Sequence, residues 1–132
     1  MSLEAGVKDV AGCVVDVALE PDVVIRISGS AESAAADDLE RLFSSVHAEC
    51  ERLGATAARV DLRELEFMNS SCFKSFVSWV IRIEELPEPQ RYRIVLAGTD
   101  ARHWQKRSLH ALRSMGAGLI DLDVEPPPVA SS

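Results

Sequence analysis

The feature that most constrains this chain is an alternation. After an N-terminal pair of apolar runs, β-branched segments and helical patterns follow one another to near the end. Cys13-Val14-Val15-Asp16-Val17-Ala18-Leu19 and Val23-Val24-Ile25-Arg26-Ile27 read as two strands. Between them, Glu20-Pro21-Asp22 has turn chemistry, so the two form a hairpin. A helix is expected from about Glu32 to Leu53: Leu39, Leu42, Phe43, Val46, Cys50 and Leu53 recur at helical spacing, and Gly54 supplies the stop. Ala57–Leu62 is a third strand. A helix over about Ser71–Leu86 buries Phe73, Phe76, Val77, Val80 and Ile83, and Pro87 and Pro89 end it. Tyr92–Ala97 is a fourth strand. A helix of about Ala101–Met115 turns Trp104, Leu112 and Met115 inward, and Leu119–Leu122 is the last strand. The order β-β-α-β-α-β-α-β predicts an α/β fold: a mixed sheet of about five strands, mostly parallel after the N-terminal hairpin, with three helices packed on it.

At 132 residues the chain suits one domain. Residues 1–11 are expected to be a flexible N-terminus, 12–124 the domain, and 125–132 a disordered Pro-rich tail. The formal net charge of −7 argues against broad binding to nucleic acid or to an anionic membrane face. One local exception is a basic cluster, Arg102, His103, Lys106, Arg107 and Arg113, which reads most simply as a solvated helix face. Cys13, Cys50 and Cys72 are far apart and match no metal-binding spacing. With no secretory signal, they fit a reducing cytoplasm. No apolar run approaches the ~18 residues of a membrane span. No cofactor or metal is implied.

The segment that invites a functional reading is Phe67-Met68-Asn69-Ser70-Ser71-Cys72-Phe73-Lys74. Two hydroxyls stand where a helix begins, in a loop of the kind that carries function in parallel sheets. Ser70 or Ser71 is a candidate N-cap, satisfying one orphan backbone N–H. The second reading is phosphorylation, because a helix N-terminus tolerates a phosphate's charge while the local surface changes sign. Lys74 fits this reading, since its charge opposes the dipole of an unmodified first turn. Nucleophilic catalysis is a third reading, but it requires a base. His47, His103 and His110 lie far from the junction in sequence, and there is no GxSxG elbow, P-loop or GxGxxG. Two further residues are ambiguous. Cys72 is a small packing residue or a redox thiol. Trp79 lies off the main apolar stripe, either as a contact for a partner or in a helix buried on two sides; Ser75 and Ser78 read as filler.

The run Val60-Asp61-Leu62, then Phe67-Met68, then Asn69-Ser70-Ser71-Cys72 resembles the signature of the STAS domain, and with the element order the likeness spans roughly residues 12–124. In that family the helix opens with Asp-Ser-Ser-Gly or Asp-Ser-Thr-Gly; here Asn69 replaces Asp and Cys72 replaces Gly. The family's final helix is absent before the Pro-Pro-Pro tail. The resemblance implies a non-enzymatic, partner-switching regulator of the anti-sigma factor antagonist type. It implies Ser70 as phosphoacceptor, with Ser71 as the alternative, and Asn69, Cys72, Phe73 and Lys74 as partner-binding residues. The implied partners are an anti-sigma factor that is itself a serine kinase of the GHKL type, and a phosphatase. Two other roles are compatible with the resemblance: an unphosphorylated regulatory subunit of a transport system, and a small-molecule or nucleotide sensor. The oligomeric state is left open.

Overall fold

The computed structural model describes residues 6–10, 12–19, 22–99 and 101–125. Seven strands form one sheet: β1 (Gly6–Val10), β2 (Cys13–Ala18), β3 (Val23–Ala31), β4 (Ala57–Asp61), β5 (Leu65–Met68), β6 (Arg93–Thr99) and β7 (Ile120–Glu125). The helices are α1 (Ala36–Leu53), α2 (Phe73–Glu84) and α3 (His103–Met115). Strand order is β1-β2-β3-β4-β6-β7, with β5 also on β3. β1, β2 and β3 are antiparallel, and the remaining pairs are parallel. The expected mixed α/β fold with an N-terminal hairpin is therefore present.

Two strands exceed the five expected. Gly6–Val10 lies in the expected flexible N-terminus, yet it pairs with Cys13–Val17 of β2. Leu65–Met68 was read as a connection, because Glu64 and Glu66 hide its apolar members. No α-helix follows β7 among the described residues, and the expected tail lies outside them except for Glu125 in β7. Most of the turn expected at residues 20–22 also lies outside.

Alternation in the strands fixes the layers. Val15, Val17, Ile25, Ile27, Ala58, Val60, Ile94, Leu96 and Ile120 point to one face and are buried. They share a single core with Leu39, Phe43 and Val46 of α1, Phe76, Val80 and Ile83 of α2, and Leu109 and Leu112 of α3. All three helices thus cover the same face, and the other is wet. Parallel strands are usually covered on both faces. Here cross-strand ion pairs make the uncovered face soluble: Arg59–Asp123 (2.6 Å), Arg93–Asp121 (2.5 Å) and Arg26–Asp61 (3.8 Å). Such surface pairs are worth roughly 0–1 kcal/mol each, so they govern solubility and register more than stability.

Of the two readings of Trp79, the buried one holds: it is a core residue, 1% exposed. The buried stripe of α2 runs through Cys72, Ser75, Phe76, Trp79, Val80 and Ile83, leaving Phe73 and Val77 only half-buried. Ser75, expected to be filler, lets α1 approach and donates its hydroxyl to Ala36 O at 3.0 Å. Trp79 stacks on Phe43 and donates its indole N–H to Tyr92 Oη at 2.7 Å. Met115, expected inside, is exposed, and Trp104 is half-buried against the core.

Tyr92 Oη also lies 2.6 Å from His47 Nδ1, and His47 Nε2 lies 3.2 Å from Glu51. The phenol has one proton to give. With Trp79 donating to it, it donates to an unprotonated Nδ1, so the neutral Nε2–H tautomer fits. Burial lowers the His47 pKa; Glu51 opposes that and Arg82 adds to it. The folded state therefore holds a neutral imidazole where the unfolded chain takes up a proton. Stability from this source is complete above the unfolded value of about 6.5 and falls as pH drops below it. The thermal midpoint of the wild type should fall more than that of His47→Gln between neutral pH and about pH 5.5, where the unfolded His has titrated. Parallel midpoints would remove His47 as the cause.

Candidate functional site

The site is built by a change of partner along one edge of β3. β4 pairs with Val23–Arg26, and β5 pairs with Gly29–Ala31 farther along the same strand. A register irregularity falls between Gly29 and Ser30. Gly29 has φ 91°, and a Cβ there would stand 2.7 Å from Gly12 O, so only Gly fits this crossing.

Asp61 turns the chain between the two segments. Its carboxylate accepts from the Arg63 backbone N–H (3.1 Å) and from the Arg63 guanidinium (2.9 and 2.7 Å). Those bonds, chiefly the guanidinium's, hold its carboxyl below the usual range, with Arg26 adding to them. Leu62 is thereby buried, and its N–H bonds Ala97 O at 2.8 Å. The Val60-Asp61-Leu62 motif is thus a folding device that delivers β5, rather than part of the exposed site.

After β5, Asn69 N–H donates to Ala31 O at 2.7 Å and carries the ladder one residue further. Asn69 is the cap of the following 3-10 turn, Ser70–Cys72, which runs directly into α2. Its Oδ1 accepts the Ser71 N–H at 2.9 Å and the Ser71 hydroxyl at 2.8 Å. The capping expected of Ser70 or Ser71 therefore belongs to Asn69. Ser71 is half-buried with its hydroxyl committed. Ser70 is exposed, and its hydroxyl makes no hydrogen bond among the described residues. The two adjacent serines have been given different environments.

The neighbours divide in the same way. Lys74 is exposed, four residues beyond Ser70, and forms no ion pair among the described residues. Phe73 is half-buried against the core. Cys72, expected among partner-facing residues, is 0% exposed. Its thiol donates to Glu32 O at 3.4 Å, and burial raises its pKa, which disfavours the reactive thiolate a redox sensor needs. Its side chain is turned into the core, so it does not obstruct an approaching surface. Phe67, not previously assigned a role, is 41% exposed three residues before Ser70. An uncovered aromatic beside an uncovered hydroxyl is the kind of patch partners use. Alternation in β5 would bury Phe67 with Leu65; the register irregularity, which skips Glu66, breaks it, so that Leu65 and Met68 are buried and Glu66 and Phe67 exposed.

Of the three His residues, His47 is held in the Tyr92 network, and His103 and His110 are exposed on α3. None hydrogen-bonds to Ser70. Among the described residues no cluster of His, Cys, Asp or Glu is suited to holding a metal ion. No described helix is long and apolar enough to cross a membrane.

The structure is similar to the crystal structure of an anti-sigma factor antagonist from Mycobacterium paratuberculosis. The TM-score is 0.58 and the identity 18%, over 98% of this chain and 92% of that one. No family model and no curated protein sequence matches the chain. At that identity the likeness establishes the fold, the STAS-type mixed sheet with helices on one face.

Proposed function

We propose that the protein is a non-enzymatic partner-switching regulator of the anti-sigma factor antagonist type, controlled by phosphorylation of Ser70. It binds an anti-sigma partner that is a serine kinase of the GHKL type, and a phosphatase reverses the modification. The observation that carries the reading is the contrast at the junction: Ser70 is exposed with an uncommitted hydroxyl, while Ser71 is tied to Asn69. The fold shared with an anti-sigma factor antagonist supports it.

The charge argument favours the same residue. A phosphate on Ser70 stands at the positive end of α2, with Lys74 four residues on. Asn69 is a neutral cap, so a phosphate meets no carboxylate at position 69. The added charge leaves the scaffold intact and changes the surface around Phe67 and Lys74 that the partner grips. Asn69 and Phe73 hold this surface in place. Cys72 supports it from inside.

The test combines phosphate mapping with binding. Incubation with ATP and the cognate kinase should place one phosphoryl group on Ser70, located by peptide mass mapping. Ser70→Ala should remain bound to the partner. Ser70→Glu should bind at least about tenfold more weakly, equivalent to ~1.4 kcal/mol. Equal binding of both variants in a pull-down, with both folded, would discard the switch.

A further inference from the structure

A second surface lies at the β7 end of the sheet, away from β5 and Ser70 in the strand order. β7 is the edge strand, with no neighbour on its outer side among the described residues. Between it and α3 runs a groove of about 360 Å³. Leu109 lies at its base, and Leu122 and Val124 of β7, both half-buried, form its apolar wall. Lys106, His110 and Arg113 rim it from α3. Leu109 sits so close to Gly98 of β6 that any Cβ there would collide with it, so α3 lies low on β6.

The charge pattern is local and runs against the chain as a whole. The protein has 21 acidic and 14 basic residues. α1 carries five acids, Asp37, Asp38, Glu40, Glu49 and Glu51. α3 carries Lys106, Arg107 and Arg113 and no acid at all. Lys106 and Arg107 form no ion pair among the described residues, whereas the arginines of the wet sheet face are matched with aspartates.

We infer that the α3–β7 groove is a docking site for an acidic, apolar peptide segment of a partner protein. The segment sets apolar side chains against Leu122 and Val124 and carboxylates against Lys106 and His110. The unpaired edge of β7 offers backbone N–H and C=O groups to an extended chain. Charge complementarity selects this occupant. A cationic segment is repelled by the rim, and nucleic acid gains nothing from an apolar wall and is repelled by the rest of the chain. The surface is separate from Ser70 and does not depend on its phosphorylation.

The probe is a short fluorescein-labelled peptide of repeating Leu-Leu-Glu-Glu, which puts both residue types on each face of an extended chain, titrated with the full chain by fluorescence anisotropy. Saturable binding is expected, weakening with added salt and falling at least about tenfold in Lys106→Glu/His110→Glu. Thermal melting checks that the variant folds, and Lys106→Ala/His110→Ala serves if it does not. The matching Lys/Leu peptide should not bind, and Ser70→Glu should leave the affinity unchanged. Undiminished binding by the folded variants, equal binding of the Lys/Leu peptide, or loss on Ser70→Glu would overturn the inference. So would tighter competition by a single-stranded oligonucleotide. Two further results would assign the groove to another occupant and overturn it as well: peptide binding that emerges only after deletion of residues 126–132, or a dimer that the Lys106→Glu/His110→Glu change dissolves.

Discussion

Gln105→Leu is expected to lower the free energy of unfolding by about 2–4 kcal/mol, a large effect for a volume-conserving change on a helix. Gln105 is 0% exposed and serves three backbone groups. Its Oε1 accepts the Thr99 N–H at 2.8 Å, and its Nε2 donates to Leu62 O at 2.5 Å and Leu65 O at 3.3 Å. These are the groups left over where β4 has ended, β5 has not yet settled and β6 is finishing. Leu at 105 fills the space but orphans the Thr99 N–H, at about 1–3 kcal/mol, and removes one of two donors from each carbonyl, since Leu62 O keeps the Leu65 N–H and Leu65 O keeps the Trp104 indole, at about 1 kcal/mol more. Chemical denaturation measures the loss. A change within about 1 kcal/mol, the net worth of one ordinary hydrogen bond, would show that water reaches these groups.

Trp79→Ala should cost about 3–5 kcal/mol, the range for emptying a large aromatic from a packed core. The change removes the stack on Phe43, with centroids 4.8 Å apart, and the N–H donated to Tyr92. Tyr92 is fully buried and burial drives its phenol pKa upward, so its hydroxyl stays protonated and available to His47. A cycle with Tyr92→Phe separates packing from hydrogen bonding: Trp79→Phe and Tyr92→Phe together should be less damaging than the sum of the single changes, by about 1 kcal/mol. Strict additivity would mean the indole–phenol bond adds nothing beyond the packing.

The strand–helix alternation was legible because the long apolar runs repeat at the periods of helix and strand. α1 shows this best: Leu39, Leu42, Phe43, Val46 and Cys50 are buried as expected, and only Leu53, in the last turn, is exposed. What escaped the sequence has a common physical character. β5 is four residues long, and its bulge breaks the period that marks a strand: Leu65 and Met68 are buried, Glu66 and Phe67 exposed. Gln105 and Ser75 look like surface residues, but they are buried through hydrogen bonds to backbone that exist only in the assembled fold. Trp79 lay off the apparent stripe because its inward side is flanked by that buried serine, and its polar end needed Tyr92. The junction itself was visible at Asn69–Cys72. The division of labour within it was not: the cap went to Asn69 and the exposed hydroxyl to Ser70, a distinction that depends on backbone angles at one residue.

The handover of β3 from β4 to β5 separates two demands that one strand would otherwise have to meet. β4 must stay aligned with β6 to keep the core shut, whereas β5 pairs only with the last three residues of β3. Exchanges at the exposed positions Glu64, Glu66, Phe67 and Ser70 therefore alter the serine turn's surface without sliding the central ladder. The outer surface of the turn can thus change at little risk to the apolar side chains beneath, while Asn69 and Cys72 hold the turn in place from within.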